Sequence, residues 1–175
     1  MLQVDALAKL GGEMMGGGCY SRVYDVPSRP DMVLKIGRND GTRNWLELSR
    51  NYCDRGMRMR GMPEVYMVGD AGYSDGGEPL YFALMRRYDY TAGSRNYGDA
   101  TFNALLAPIE DDLADTFRAY MADIGIHKPY LWNDVHQGNV MMDAERNEWV
   151  ITDPCACDYQ RPSKEHLANF NLELS

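Results

Sequence analysis

Residue types that could carry out chemistry stand at four places in the sequence. Three glycines occupy 16–18, a lysine ends VLK (33–35), DVHQGN (134–139) places an asparagine five positions after an aspartate, and another aspartate ends ITD (151–153). Phosphoryl transfer from a nucleotide requires backbone donors and a cation for the phosphates, oxygen ligands for magnesium and an acid that orients the acceptor hydroxyl. The sequence contains a candidate for each requirement.

The glycines open the segment GGGCYSRVYDV (16–26), whose later residues alternate like a β-strand. Glycine loses more backbone freedom on folding than any other residue, so a cluster is unfavourable unless the chain turns sharply or approaches a ligand closely. Two interpretations therefore stay open at this point: an ordinary loop, and a backbone that comes close to phosphates.

The charge of the chain limits its partners. The 175 residues include 26 acidic and 18 basic side chains, which gives a net charge of −8. This balance argues against a basic face that grips a phosphate backbone, so we expect no direct binding to nucleic acid. Arginines group within 55–60 and 86–87, where we expect solvated surface charge.

The start MLQVDALAKLGG has no basic leader, and no later stretch approaches the ~18 apolar residues of a membrane span. We therefore expect a cytoplasmic protein without a membrane partner. Its four cysteines show no CxxC spacing: Cys19, Cys53, Cys155 and Cys157. Reduced thiols are expected, and zinc ligation by the last two with His136 or His166 is the alternative.

The apolar pattern predicts an α+β fold with a small antiparallel sheet in the first half. The predicted elements are a helix over 2–10 that stops at Gly11 and Gly12, a hairpin of 20–26 and 32–36, a helix over 42–57, and strands at 65–69 and 80–85. The first half therefore reads as one sheet with an inserted helix.

The second half is predicted to be helical before it forms one hairpin. Apolar residues recur at intervals of three and four over 102–124, with Pro108 in the first turn of the longer helix and Gly125 at its end. NVMMD (139–143) and EWVIT (148–152) then predict a short hairpin.

The segments GGGCYSRVY, VLK, DVHQGN and ITD together resemble the protein-kinase superfamily, and the likeness spans most of the chain. DVHQGN has the spacing of the kinase catalytic loop, and its His and Gly are similar to those of aminoglycoside-phosphotransferase-type kinases. GGGCYSRVYDVPSRPDMVLKIG, GMPEVYMVG and NDVHQGNVMMDAERNEWVITDPCA are similar to the early protein kinases of T7-like bacteriophages, which modify host machinery during infection.

This resemblance implies a minimal bilobal kinase-like fold within a single domain. A sheet lobe over 1–88 would meet a reduced helical lobe over 89–175 near 86–98, where TAGSRNYG is small and polar. Only 154–175 follow Asp153, too few for the activation segment and substrate platform of an ordinary protein kinase. Either the long helix forms the whole lobe, or a partner chain such as a second copy completes it, or the chain binds nucleotide without efficient catalysis.

The resemblance also assigns roles in binding ATP. The backbone amides of Gly16, Gly17 and Gly18 would approach its phosphates, and Lys35 would contact the α- and β-phosphates. Glu47, in the inserted helix, would pair with Lys35 and hold it in place, while a solvated surface glutamate is the alternative.

For the transfer step, the resemblance implies that Asp134 accepts a hydrogen bond from the substrate hydroxyl. Asn139 and Asp153 would bind Mg²⁺ through oxygen. His136 is interpreted as a residue that orients the loop, with a purely structural histidine as the alternative. The chain over 85–88 would pass the adenine and offer it backbone donors and acceptors.

Two motifs depart from the protein-kinase pattern. WND stands where many of these enzymes have HRD, and DPC stands where they have DFG. Both retain the aspartate but lack the arginine and phenylalanine that couple activity to phosphorylation of the activation loop. We therefore expect constitutive activity rather than regulation of that kind.

The function implied is a serine/threonine protein kinase that uses Mg·ATP to phosphorylate host bacterial proteins, including RNA polymerase or the translation machinery. One alternative is a pseudokinase-like protein that binds and inhibits a host factor. The second is a small-molecule phosphotransferase, suggested by DVHQGN.

Overall fold

The fold was analysed in a computed structural model that describes residues 7, 9–18, 20–89, 99–126, 132, 134–136 and 138–155. In these residues the elements are β1 Met14–Gly17, β2 Ser21–Asp25, β3 Met32–Gly37, α1 Asp40–Asp54, β4 Val65–Tyr73, β5 Pro79–Arg86, α2 Asp99–Asp123, β6 Val140–Asp143 and β7 Glu148–Ile151. The first five strands form an antiparallel sheet in the order β1-β2-β3-β5-β4, and the last two form a separate hairpin. The α+β class predicted from the sequence is thus confirmed.

The glycine segment contributes to a strand that the sequence pattern did not predict. Gly16 and Gly17 belong to β1 and pair with Val23 and Arg22 of β2, so the expected glycine-rich turn is wrong at these two positions. Gly18 lies in the connection to β2, where its amide donates to the carbonyl of Ser21 (2.9 Å). The predicted hairpin of β2 and β3 is confirmed.

Helix α1 begins earlier than predicted because Asn39 caps it. The Asn39 side chain accepts hydrogen bonds from the amides of Gly41 (2.8 Å) and Thr42 (3.3 Å), two of the donors that an α-helix leaves unpaired at its start. The helix ends at Asp54, before Gly56, whose φ of 64° is left-handed.

Helix α2 runs continuously through Pro108, so the prediction that this proline opens the helix is wrong. Pro108 is exposed, and the carbonyl four residues earlier, which proline leaves without a donor, can therefore bond to water. The predicted end is confirmed: Gly125 has a φ of 80° and its amide donates to the carbonyl of Ala122 (3.0 Å).

The larger of two hydrophobic clusters in the described residues joins the two halves of the chain. Trp45 of α1 is fully buried and makes edge contacts with the rings of Phe117 in α2 (5.7 Å) and Trp132 (5.2 Å). Its indole nitrogen donates to the carbonyl of Ile151 in β7 (2.9 Å). Side chains of β3, β4 and β5 belong to the same cluster, so the sheet and the hairpin are parts of one packed unit.

Two sequence predictions fall partly or wholly outside the described residues. Of the helix expected over 2–10, residues 7, 9 and 10 are helical, while the whole polar stretch TAGSRNYG (91–98) lies outside. Within the described part of the chain, no helix is long and apolar enough to cross a membrane.

Candidate functional site

A cleft of about 600 Å³ lies between the five-stranded sheet and the β6–β7 hairpin. Six of the predicted site residues line it together: Gly16, Gly17, Gly18, Lys35, Asn139 and Asp153. Strand β1 and the turn after it form one edge, and the chain over 85–88 lies on another part of the wall. The fold therefore brings together residues that are separated by more than a hundred positions in the sequence.

Lys35 is buried on β3, with about 5% of its surface exposed. Its ammonium donates to Oδ2 of Asp153 at 2.8 Å. The Asp153 side chain keeps 19% of its surface exposed, so its carboxylate remains open to the cleft. A cation and an anion held this close inside a cleft can each exchange partner when a charged ligand enters.

The loop around Asp134 and Asn139 is fixed by the asparagine amide. Nδ2 of Asn139 donates to the backbone carbonyl (2.8 Å) and to Oδ2 (3.0 Å) of Asp134. These two bonds use both amide hydrogens and leave Oδ1 as the atom of this side chain that can bind a further ligand. The backbone carbonyl of Asn139 accepts from the amide and hydroxyl of Thr152, which ties the loop to the residue before Asp153.

His136 contacts this loop through both ring nitrogens. Its Nδ1 accepts a hydrogen bond from the amide of Gly138 (2.9 Å). Nε2 lies 3.1 Å from Nδ2 of Asn139 and 3.6 Å from Oδ1 of Asp134. The ring thus lies beside Asp134 and Asn139, as an orienting residue would.

The donor set of the cleft fits magnesium. This ion prefers oxygen ligands and is usually held by one or two carboxylates together with substrate phosphates. Asp153 supplies a carboxylate and Asn139 an amide oxygen on the same cleft wall. No cluster of three or more His, Cys, Asp and Glu that could hold a metal by itself occurs among the described residues, and Cys157 and His166 of the zinc alternative lie outside them.

The predicted pair between Glu47 and Lys35 does not form. Glu47 accepts instead from Arg43 (2.9 Å), one turn earlier on α1, and Arg43 also donates to Asp70 (2.8 Å). The physical reason is the phase of the helix: α1 presents Thr42 to Asp153, and five residues later the side chain points about 140° away. The carboxylate that pairs with Lys35 is that of Asp153.

Thr42 is a site residue that the sequence reasoning missed. Its side chain is fully buried, and its hydroxyl donates to Oδ1 of Asp153. Thr42 and Asp153 are 111 positions apart, so no local pattern could have linked them. The only available signal was the capping residue Asn39, which places Thr42 in the first turn of α1.

The backbone over 85–88 passes along the cleft as the sequence predicted for the adenine contact. The amide of Arg87 donates to Asp31 (2.8 Å), and Asp89 forms two backbone bonds with Met142 of β6. Among the described residues, the amide of Tyr88 and the carbonyl of Arg87 have no partner. Both are thus available to the edge of a planar base.

A network of charges fastens the hairpin to the sheet beside this segment. Arg86 lies near the carboxylates of Glu64 (3.3 Å), Asp143 (3.5 Å) and Glu145 (2.5 Å), and Arg146 donates to Asp143 (2.8 Å). Burial raises the pKa of the Asp143 carboxyl, but the hydrogen bonds from Arg146 and the charge of Arg86 outweigh it and lower the pKa overall. Hydrogen bonding to Glu145 raises the pKa of Arg86.

The three glycines are not all required by the fold. A Cβ at Gly17 would lie 2.9 Å from the carbonyl oxygen of Ser21, whereas a Cβ at Gly16 or Gly18 would meet nothing within 4 Å. None of the three has a left-handed backbone. At Gly16 and Gly18 a side chain would therefore meet open space, and the packing of the sheet does not require glycine there.

A second cavity of about 460 Å³ lies between the end of α1 and the start of β4 and contains none of the predicted site residues.

Comparison with known proteins does not assign the chain to a family: it matches no model of a protein family, and no curated protein matches it.

Proposed function

We propose that this chain is a protein kinase of the bacteriophage type, which transfers the γ-phosphate of Mg·ATP to serine or threonine hydroxyls of host bacterial proteins. The observation that carries the proposal is the meeting of Lys35 and Asp153 (2.8 Å) in one cleft with Asn139, which in turn binds Asp134. These residues come from distant parts of the sequence, and each has the type that one step of phosphoryl transfer requires.

The adenine ring would enter between apolar side chains of the two sheets. Val23 and Val33 line the cleft from the large sheet, and Met141 lines it from the hairpin. The free backbone groups of Arg87 and Tyr88 would hydrogen-bond the base edge. This arrangement supports a nucleotide over a phosphate alone, because a cleft of about 600 Å³ has room for a base.

The phosphates would then extend toward the glycine edge. The ammonium of Lys35 would move from Asp153 to the phosphate oxygens, and Gly16 and Gly18 would allow the backbone to come close to them. Asp153 and Asn139 are the residues that would hold magnesium. When bound, this ion neutralises charge on the phosphate oxygens as transfer proceeds.

Asp134 would act on the acceptor. Its carboxylate would accept the hydrogen bond of the substrate hydroxyl, and its position is fixed by Asn139 and by its own amide, which donates to Pro154 (3.0 Å). The hydroxyl oxygen forms the new bond to the γ-phosphorus while the bond between that phosphorus and the bridging oxygen breaks. ADP leaves, and the hydroxyl proton passes through Asp134 to solvent.

A host protein is the preferred acceptor for two reasons. The sequence resembles kinases that modify host proteins, and the net charge of −8 favours a basic surface as substrate. The DVHQGN loop is the observation that favours the second candidate, a small-molecule phosphotransferase. An inhibitory pseudokinase remains the third, since Lys35 pairs with Asp153 rather than with Glu47.

The test is transfer of labelled γ-phosphate from Mg·ATP to a bacterial lysate and, in parallel, to a panel of amino sugars. Asp134→Asn keeps the shape of the side chain and one acceptor oxygen, which can still accept from Asn139, and removes the charge, so the fold is expected to persist. We expect lysate proteins to be labelled by the wild type and labelling to fall by a factor of about 10²–10⁴ in the variant.

The matched control is Asp111→Asn, on the exposed side of α2, which should label like the wild type. Labelling of amino sugars alone would replace the protein-kinase proposal by the small-molecule one. Nucleotide binding without any transfer of phosphate would support the inhibitory pseudokinase instead. Absence of nucleotide binding would overturn all three candidate functions.

A further inference from the structure

The start of α1 contacts both ends of the segment 153–155. The hydroxyl of Thr42 donates to the side chain of Asp153, and the side-chain amide of Asn39 donates to the backbone carbonyl of Cys155 (2.7 Å). Between them, a Cβ at Gly41 would lie 2.9 Å from the Cβ of Cys155. The glycine therefore lets the helix approach the segment closely enough for both hydrogen bonds.

These contacts determine how the Asp153 carboxylate is presented. Oδ1 accepts from Thr42 and Oδ2 accepts from Lys35. An ionised carboxylate has about four lone-pair positions, so each oxygen retains one for a further ligand. Because each oxygen accepts one hydrogen bond, the Asp153 carboxylate is held against rotation about its Cβ–Cγ bond.

The Thr42 hydroxyl needs a hydrogen-bond acceptor inside the protein. The side chain is fully buried, and a buried hydroxyl without an acceptor is costly. The acceptor for this hydroxyl is Asp153. Lys35 is different, because in the proposed function its ammonium would turn toward the phosphates when they enter the cleft.

We propose that Thr42 is the positioning residue for Asp153, and that the first turn of α1, capped by Asn39, holds Thr42 in place for this role. This inference rests on the proposed function and adds a residue to it. When Lys35 turns to the phosphates, Thr42 remains as the group that keeps the Asp153 carboxylate oriented toward the metal.

The decisive variant is Thr42→Val, which has the same shape without the hydroxyl. Loss of a hydrogen-bond partner of a metal-binding residue lowers metal affinity by about 10–100-fold. We expect a loss of that size in the affinity for Mn²⁺, used in place of Mg²⁺, measured by electron paramagnetic resonance with a non-hydrolysable ATP analogue present. Thr42→Ser restores the hydroxyl and should recover most of the affinity.

Two further measurements separate positioning from general damage. Affinity for a fluorescent ATP analogue without divalent metal should be unchanged in Thr42→Val, because Thr42 contacts Asp153 but does not itself line the cleft. Thr116→Val, whose hydroxyl bonds within α2, is the matched control and should bind Mn²⁺ like the wild type.

The outcomes distinguish this inference from the proposed function. Equal Mn²⁺ affinity of the wild type and Thr42→Val overturns the role of Thr42 alone, as does failure of Thr42→Ser to recover it. If the wild type shows no nucleotide-dependent Mn²⁺ binding, the proposed function and the inference both fall.

Discussion

The ion pair between Lys35 and Asp153 makes a quantitative prediction about stability. Lys35 Nζ lies 2.8 Å from Asp153, and the two side chains keep only 6% and 19% of their surface exposed. Removal of one partner of a buried ion pair typically costs 3–5 kcal/mol, whereas replacing both by neutral groups is often neutral. The two single substitutions should therefore have unequal effects.

Asp153→Asn leaves the buried ammonium without its counter-charge, and we expect the free energy of unfolding to fall by about 3 kcal/mol. Lys35→Met is expected to cost only about 1 kcal/mol, because the remaining carboxylate is partly exposed and still accepts from Thr42. The double variant should cost less than Asp153→Asn alone, since neither side chain is then charged. Each of these proteins is expected to lose phosphoryl transfer.

The assay is urea unfolding at pH 7, followed by fluorescence, with the coupling energy obtained from the double-mutant cycle. We expect a coupling of about 2 kcal/mol between Lys35 and Asp153. The comparison pair is Arg50–Asp54, an exposed pair one turn apart on α1, with an expected coupling below about 0.5 kcal/mol. Additive effects at Lys35 and Asp153 would refute the argument from burial.

Two further predictions concern the glycines and acid stability. Gly16→Ala and Gly18→Ala should unfold at the same urea concentration as the wild type or slightly above it, yet bind ATP more weakly in a titration. A loss of stability would show that the fold needs these glycines. Despite burial, hydrogen bonds from Arg146 lower the pKa of Glu64 and Asp143, so stability should hold above about pH 4.5 and fall below it. Glu64→Gln should flatten that dependence.

Strands and the loop residues were predictable because their signals are local. The hairpins β2–β3 and β6–β7 follow from alternation and turn residues, and both are present at the expected positions. The spacing of Asp134 and Asn139 likewise marked both as residues of one loop, and in the structure they are in contact. Strand β1 escaped prediction because its glycines carry no side-chain pattern, and its pairing with β2 supplies the stability instead.

The partner of Lys35 was not predictable, because it depends on how α1 is rotated against the sheet. The apolar pattern placed the helix, but it does not tell whether Thr42 or Glu47 faces the segment that contains Asp153. Pro108 shows the same limit. Proline favours the first turn of a helix, but here it lies at an exposed position inside α2, and residues before and after it in the helix are buried in the core. Contacts between distant segments decide both cases.

The bond from Trp45 to Ile151 also has a consequence for synthesis on the ribosome. The two residues are 106 positions apart, and chains grow at about 5–20 residues per second, so roughly 5–20 s pass between their translation. During that interval the apolar face of α1 has no counterpart from β7. The nascent first half thus exposes a surface of the kind that chaperones bind, and it completes its core only when the hairpin emerges.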